Sequence, residues 1–153
     1  ILIGVSFALL DFVENYKMNL QHTIVMETGG MKGRKKEITR DELHQILKDG
    51  FGTNEIHSEY GMTELLSQGY SRGDLTFKSP NWMRIIIRET EDPFNHVLQG
   101  KAGGVNVIDL ANYNSISFIA TDDLGKKIAP NQFEILGRFD HSDVRGCNLM
   151  IME

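Results

Sequence analysis

The stretch EIHSEYGMTELLSQGY, residues 55–70, sets an aromatic ring, a hydroxyl and a carboxylate around one glycine: Tyr60, Thr63 and Glu64 about Gly61. Those types suit a nucleotide. The ring can cover a base, the hydroxyl can reach a phosphate oxygen, and the carboxylate can hold Mg2+. That ion takes one or two protein carboxylates and leaves the rest of its shell to water and phosphate. The ordinary reading is a turn that caps a short helix. Upstream, Gly29-Gly30 in ETGGMKG forms a second glycine turn. Taken alone, paired glycines most often mean a tight turn, but two strand ends finishing in glycine also let bare backbone lie against a flat ring. Downstream, ATDDLG puts Asp123 at the end of an apolar run, where a carboxylate can accept from both ribose hydroxyls; an Asp turn is the commoner fate of such a string. LGRFD sets Arg138 and Asp140 beside a glycine, with a surface ion pair of little energetic weight as its plainer reading. Each piece alone is ambiguous, whereas their order and spacing join them into one candidate site.

The elements that must position these residues divide the chain in two. Residues 5–16, VSFALLDFVENY, place Val5, Leu9, Phe12, Val13 and Tyr16 on one helical face. HTIVMET is short and β-branched and ends at the glycine pair, so it reads as a buried strand. MKGRKKE is a basic loop, more a solvated face than a phosphate site. Thr39 caps a helix over RDELHQILKDGFG, with acidic residues in its first turn and Gly50 or Gly52 ending it. NEIHSEY is the next strand and runs into Tyr60. After residue 70 the pattern changes to four β-rich runs, WMRIIIRET, GVNVIDLAN, SISFIATDD and QFEILGRFD, with a hairpin-like connection over 90–104. The expected fold class is therefore α/β: a βα-containing first half, residues 1–72, then a β-rich barrel-like or meander subdomain, residues 73–140. Residues 141–153 form a C-terminal tail.

The 153 residues, 41% hydrophobic and 24% charged, make one domain's worth of soluble chain. A net charge of −5 argues against a general nucleic-acid surface. The apolar start, ILIGVSFALLDFV, is too short for a membrane span and lacks the basic leader of a signal peptide. It does not begin with Met and needs partners to bury it, so the sequence reads as part of a longer protein. One cysteine, Cys147, forms no internal disulfide, which points to a cytoplasmic setting. The five histidines show no zinc spacing; His57 alone adjoins the candidate site, and Trp82 reads as core rather than contact.

The series ETGGMKG, HSEYGMTELLSQ, TDDLG and LGRFD resembles the second half of the adenylate-forming superfamily. Over nearly the whole chain, ETGGMKGRKKEITRDELH, IHSEYGMTELLSQ and DVRGCNLM are most similar to LuxE-type acyl-protein synthetases. The resemblance implies an adenylate-forming fold and the superfamily's cofactors, ATP and Mg2+. Its Tyr-Gly-x-Thr-Glu motif matches Tyr60, Gly61, Met62, Thr63 and Glu64, implying base stacking, a phosphate contact and the metal carboxylate. The glycine turn matches Gly29, Gly30 and Met31, beside the base. The Thr-Gly-Asp element stands here as Thr121, Asp122 and Asp123, so the ribose Asp is present and the glycine is replaced. Gly137, Arg138, Phe139 and Asp140 match the Gly-Arg-x-Asp element, implying a second ribose or phosphate contact.

Two departures matter. Only 13 residues follow Asp140, too few for the C-terminal domain of most relatives, as in LuxE-type proteins, and the resemblance implies that Cys147 is the residue acylated. A thiolate is a strong nucleophile toward an activated carbonyl, and Arg145 nearby can lower its pKa; a merely buried cysteine is the alternative. The Ser/Thr/Gly-rich phosphate loop is missing and is expected upstream of Ile1. The implied activity joins a fatty acid to ATP and passes the acyl group to Cys147, for handover to an acyl reductase or acyl-transferase partner. Two alternatives stand beside it: an acyl- or aryl-CoA ligase, and a non-catalytic nucleotide-binding module.

Overall fold

The computed structural model describes residues 1–30 and 38–139. The expectations for Met31, Asp140, Arg145 and Cys147, and for the whole basic loop MKGRKKE, lie outside the described residues.

The first part alternates strand and helix: β1 (Leu2–Val5), α1 (Ser6–Asn15), β2 (Val25–Thr28), α2 (Arg40–Phe51) and β3 (His57–Tyr60). Parallel strands need a crossover to join them, and each helix supplies one: β1 pairs β2, and β2 pairs β3, in parallel. Helix α2 starts where the sequence says it must, with the Thr39 hydroxyl accepting from the Glu42 N–H at 3.2 Å. It ends at Gly52, whose φ of 57° is left-handed backbone. Gly50 does not end the helix; it lies within it, where an added Cβ would sit 2.6 Å from Val13 Cβ. The two helices thus touch through a glycine and bury Leu9, Leu10, Val13, Leu43, Leu47 and Phe51 over Val25 and Ile56.

Helix α1 departs from the expected face. Ser6, Leu9, Leu10 and Val13 point inward, while Phe12 and Tyr16 are exposed and Val5 closes β1. No turn residue separates β1 from α1, so the strand hid inside an apolar run.

The second part is an antiparallel meander: β6 (Met83–Arg88), β7 (Ala102–Asp109), β8 (Phe118–Ala129) and β9 (Gln132–Arg138). Two short strands, β4 (Gly69–Ser71) and β5 (Phe77–Lys78), sew β9 to β3, giving one open nine-stranded sheet in the order β1-β2-β3-β4-β5-β9-β8-β7-β6. Alternation in β6 buries Met83, Ile85 and Ile87, which pack with Leu65, Phe77, Val105, Val107 and Phe133 in a second core. Tyr60 belongs to that second core although its strand belongs to the first part. The sheet therefore brings β3's end beside the meander. No helix among the described residues is long and apolar enough to cross a membrane.

Candidate nucleotide site

Strand β3 ends at Tyr60, whose ring stands edge-on to Phe77 and Phe133 with centroids 6.0 and 5.4 Å away. The ring is 7% exposed. Its hydroxyl leaves the core on the other side and donates to Asp123 Oδ2 at 2.7 Å, across 63 residues of sequence. Burial, then the charge of Asp123, pushes the Tyr60 hydroxyl pKa far above its usual range, so its proton stays on. Asp123 faces Arg138 in the β8–β9 register, and the Arg138 Nε lies 3.6 Å from Asp123 Oδ1. Three predicted residues from three strands therefore meet in one cluster.

The glycine turn reaches the same level. Thr28 pairs with Glu59 in the parallel ladder, so Gly29 follows its strand as Tyr60 follows Glu59. Gly29 has a φ of 73°, a conformation that glycine adopts at no steric cost. A cluster missed in the sequence holds this end of β2. Glu27 is buried, accepts from Ser6 Oγ at 2.8 Å, and pairs with Arg40 Nε at 3.2 Å. His44 Nε2 lies 3.6 Å from the same carboxylate and 3.0 Å from Ser58 Oγ. Burial pushes the Glu27 carboxyl up, but His44, Arg40 and the hydroxyls of Ser58 and Ser6 prevail and hold it below its usual value. Ser6 Oγ also lies 3.3 Å from the Gly29 carbonyl oxygen, which ties the turn to the start of α1.

Gly61, Thr63 and Glu64 follow Tyr60 on an exposed turn, with Met62 half-buried beside them. Among the described residues no three His, Cys, Asp or Glu side chains converge to hold a metal. A single exposed carboxylate fits a Mg2+ that arrives with its nucleotide, since that ion completes its shell with phosphate oxygens and water. His57, at the start of β3, is half-buried, with Nε2 3.9 Å from Glu55. Trp82 is not core: its ring is 56% exposed, and its N–H donates to Ser67 Oγ at 2.9 Å.

Arg88 was legible only as one charge in a strand. Its guanidinium donates to the carbonyls of Val105 and Thr121 at 3.0 and 2.8 Å and to Asn106 Oδ1 at 2.7 Å. It lies against Gly104, where an added Cβ would come 2.5 Å from Arg88 Cζ. Thr121 Oγ1 donates to Val105 O at 2.9 Å and accepts from the Asp123 N–H at 3.1 Å. Arg88 thus clamps the bulged β7–β8 ladder just before Asp123. A glycine pair opposite an arginine is the only signal the sequence offered.

Known proteins share this fold and part of this sequence. The model of the family described as acyl-protein synthetase, LuxE, matches residues 4–153. No curated protein matches the sequence. Similar solved structures include an ATP-bound RpMatB–BxBclM chimera, at TM-score 0.64 and 15% identity over 89% of this chain and 30% of that one. The o-succinylbenzoate coenzyme A synthetase MenE of Bacillus subtilis, in complex with ATP and magnesium ion, matches at TM-score 0.59 and 19% identity, over 89% of this chain and 31% of that one. McyG A-PCP complexed with phenylalanyl-adenylate matches at TM-score 0.58 and 17% identity, over 89% and 30%. The chain spans about 30% of the length of these solved chains.

Proposed function

Because the chain belongs to the LuxE acyl-protein synthetase family, we propose that its protein activates a fatty acid with ATP and carries the acyl group on Cys147. One observation supports this reading above the others: the cluster of Tyr60, Asp123 and Arg138 at the end of β3, beside the Gly29 turn. A carboxylate held at two points by a neutral hydroxyl and a guanidinium suits two vicinal ribose hydroxyls, which need acceptors at a fixed spacing. Gly29, Gly30 and Met31 would flank the base, and the rim of Tyr60 would complete that wall. Arg138 would add a ribose or phosphate contact.

The substrate carboxylate oxygen attacks the α-phosphorus of ATP, pyrophosphate leaves, and an acyl-adenylate results. Thr63 donates to a phosphate oxygen where charge develops, a task for preorganised donors. Glu64 would hold a Mg2+ that enters with ATP, and that ion would supply charge to offset the phosphates. The Cys147 thiolate then attacks the acyl carbonyl carbon, the bond to AMP breaks, and a thioester remains for an acyl reductase or another acyl acceptor. Arg145, two residues away in sequence, favours the thiolate.

Acid-dependent exchange of labelled pyrophosphate into ATP by the full-length protein tests the first step. Exchange with long-chain fatty acids supports the reading, and no exchange with any carboxylic acid overturns it. Exchange followed by acyl-CoA formation, with no acyl group on the protein, would make the protein a CoA ligase instead.

A further inference from the structure

The turn that carries Thr63 and Glu64 is exposed, yet the segment just after it is anchored to a buried carboxylate with no part in the chemistry above. Asp109 ends β7 and is fully buried. Its Oδ2 accepts from the backbone N–H groups of Leu66 and Ser67 at 3.1 and 2.8 Å, and its Oδ1 from Ser67 Oγ at 2.7 Å and the Ala111 N–H at 3.1 Å. Asn112, 1% exposed, donates from Nδ2 to the carbonyl of Glu64 itself at 2.6 Å, and its Oδ1 accepts from the Leu66 N–H at 3.1 Å. Ser67 Oγ accepts in turn from Trp82 Nε1, so the hydroxyl donates once and accepts once. The backbone from Glu64 to Ser67 is thus pinned from the end of β7 and the helical turn that follows it, more than 40 residues away, while its own turn contributes the Leu65 N–H to Met62 O bond at 3.1 Å.

We propose that Asp109 and Asn112 are positioning residues that set where Thr63 and Glu64 stand. The proposal rests on the reading of those two residues given above. Buried polar groups that are satisfied throughout specify one arrangement, whereas a single mismatched partner leaves a costly orphan. Asp109→Asn keeps the shape but turns one acceptor into a donor, facing the N–H groups of Leu66 and Ser67 at one position or the Ala111 N–H at the other, and removes the charge that all of them share. The turn must then move. Misplacing catalytic groups by about 1 Å costs on the order of a hundredfold in rate, while Tyr60 and Asp123, on other strands, keep their places.

The test uses the full-length protein and its Asp109→Asn, Ser67→Ala and Glu64→Gln variants. Two quantities are read: kcat and KM(ATP) in pyrophosphate exchange, and equilibrium ATP binding in excess Mg2+ against EDTA. The expected result is that Glu64→Gln loses the Mg2+ enhancement of binding. Asp109→Asn loses much of it too, with kcat down about a hundredfold, KM(ATP) raised in step with the lost enhancement, and metal-free binding near wild type. Ser67→Ala, which removes the hydroxyl's bonds to Asp109 and from Trp82 but leaves the backbone N–H bonds to Asp109, moves the same way by less and carries the test if Asp109→Asn does not fold. Wild-type metal enhancement in the Asp109 and Ser67 variants, with Glu64→Gln impaired, overturns the proposal and leaves the reading standing. Wild-type enhancement in Glu64→Gln overturns the reading and the proposal with it.

Discussion

Replacing Tyr60 by Phe removes one oxygen from the protein and nothing from its core. The ring keeps its edge contacts with Phe77 and Phe133, so any effect reports the 2.7 Å bond to Asp123. A hydrogen bond to a charged group contributes roughly 1.5–3 kcal/mol. Asp123 is 15% exposed and has Arg138 at 3.6 Å, so water and the guanidinium offset part of the loss. The expected effect is therefore the low end of that range, about 1.5 kcal/mol, or roughly tenfold in ATP affinity if Tyr60 aims the carboxylate that the ribose binds. Calorimetric titration of ATP into wild type, Tyr60→Phe, Asp123→Ala and the double variant measures it. The double variant should bind no more weakly than Asp123→Ala alone, because the hydroxyl has no role once its carboxylate is gone. Additive losses, agreeing within about 0.5 kcal/mol, would refute the reasoning, as would wild-type affinity in Tyr60→Phe.

Three other perturbations bear on the frame around the site. Glu27→Gln strips the countercharge from Arg40, which is 24% exposed, so we expect a loss of about 2 kcal/mol at neutral pH, below the 3–5 of a fully buried pair. Because the folded Glu27 carboxyl is held below its ordinary value of 4.5, its contribution is present above that pH. It fades as acid titrates the folded group, so urea midpoints of wild type and variant should converge as the pH falls from 4.5 through the lower folded value. Gly50→Ala drives a methyl into Val13 across the helix pair and should cost about 1–3 kcal/mol in urea denaturation. Arg88→Lys cannot span the carbonyls of Val105 and Thr121 at once. It should cost about 1–3 kcal/mol and weaken ATP binding through Thr121 and Asp123, both read by the same titration.

What the sequence made legible was local. Thr39 and Gly52 announce the ends of α2 because each acts on its own turn of helix, and the alternation of β6 is written in six consecutive residues. Strand β1 was hidden because Val5 passes directly into Ser6 without a turn residue. Strands β4 and β5, three and two residues long, exist only through their neighbours, and no periodicity fits in so few positions. The same limit governs the site. Tyr60, Asp123 and Arg138 could be nominated by type and order, but the bond between a hydroxyl and a carboxylate 63 residues apart is a property of the sheet. Arg88, Asp109 and Asn112 looked like members of strands and turns. The partners that give them their roles lie 17 to 48 residues away in sequence, out of reach of any local pattern.

The central claim is a covalent one, that the acyl group leaves the adenylate for Cys147. The most direct test incubates the full-length protein with ATP, Mg2+ and radiolabelled myristate, then asks whether label stays on the protein and is released by neutral hydroxylamine. Wild type should carry hydroxylamine-labile label, and Cys147→Ser should carry none while keeping its ATP–pyrophosphate exchange. Label of wild-type amount and lability on the Cys147→Ser protein would contradict the account, because the acyl acceptor would then be another residue.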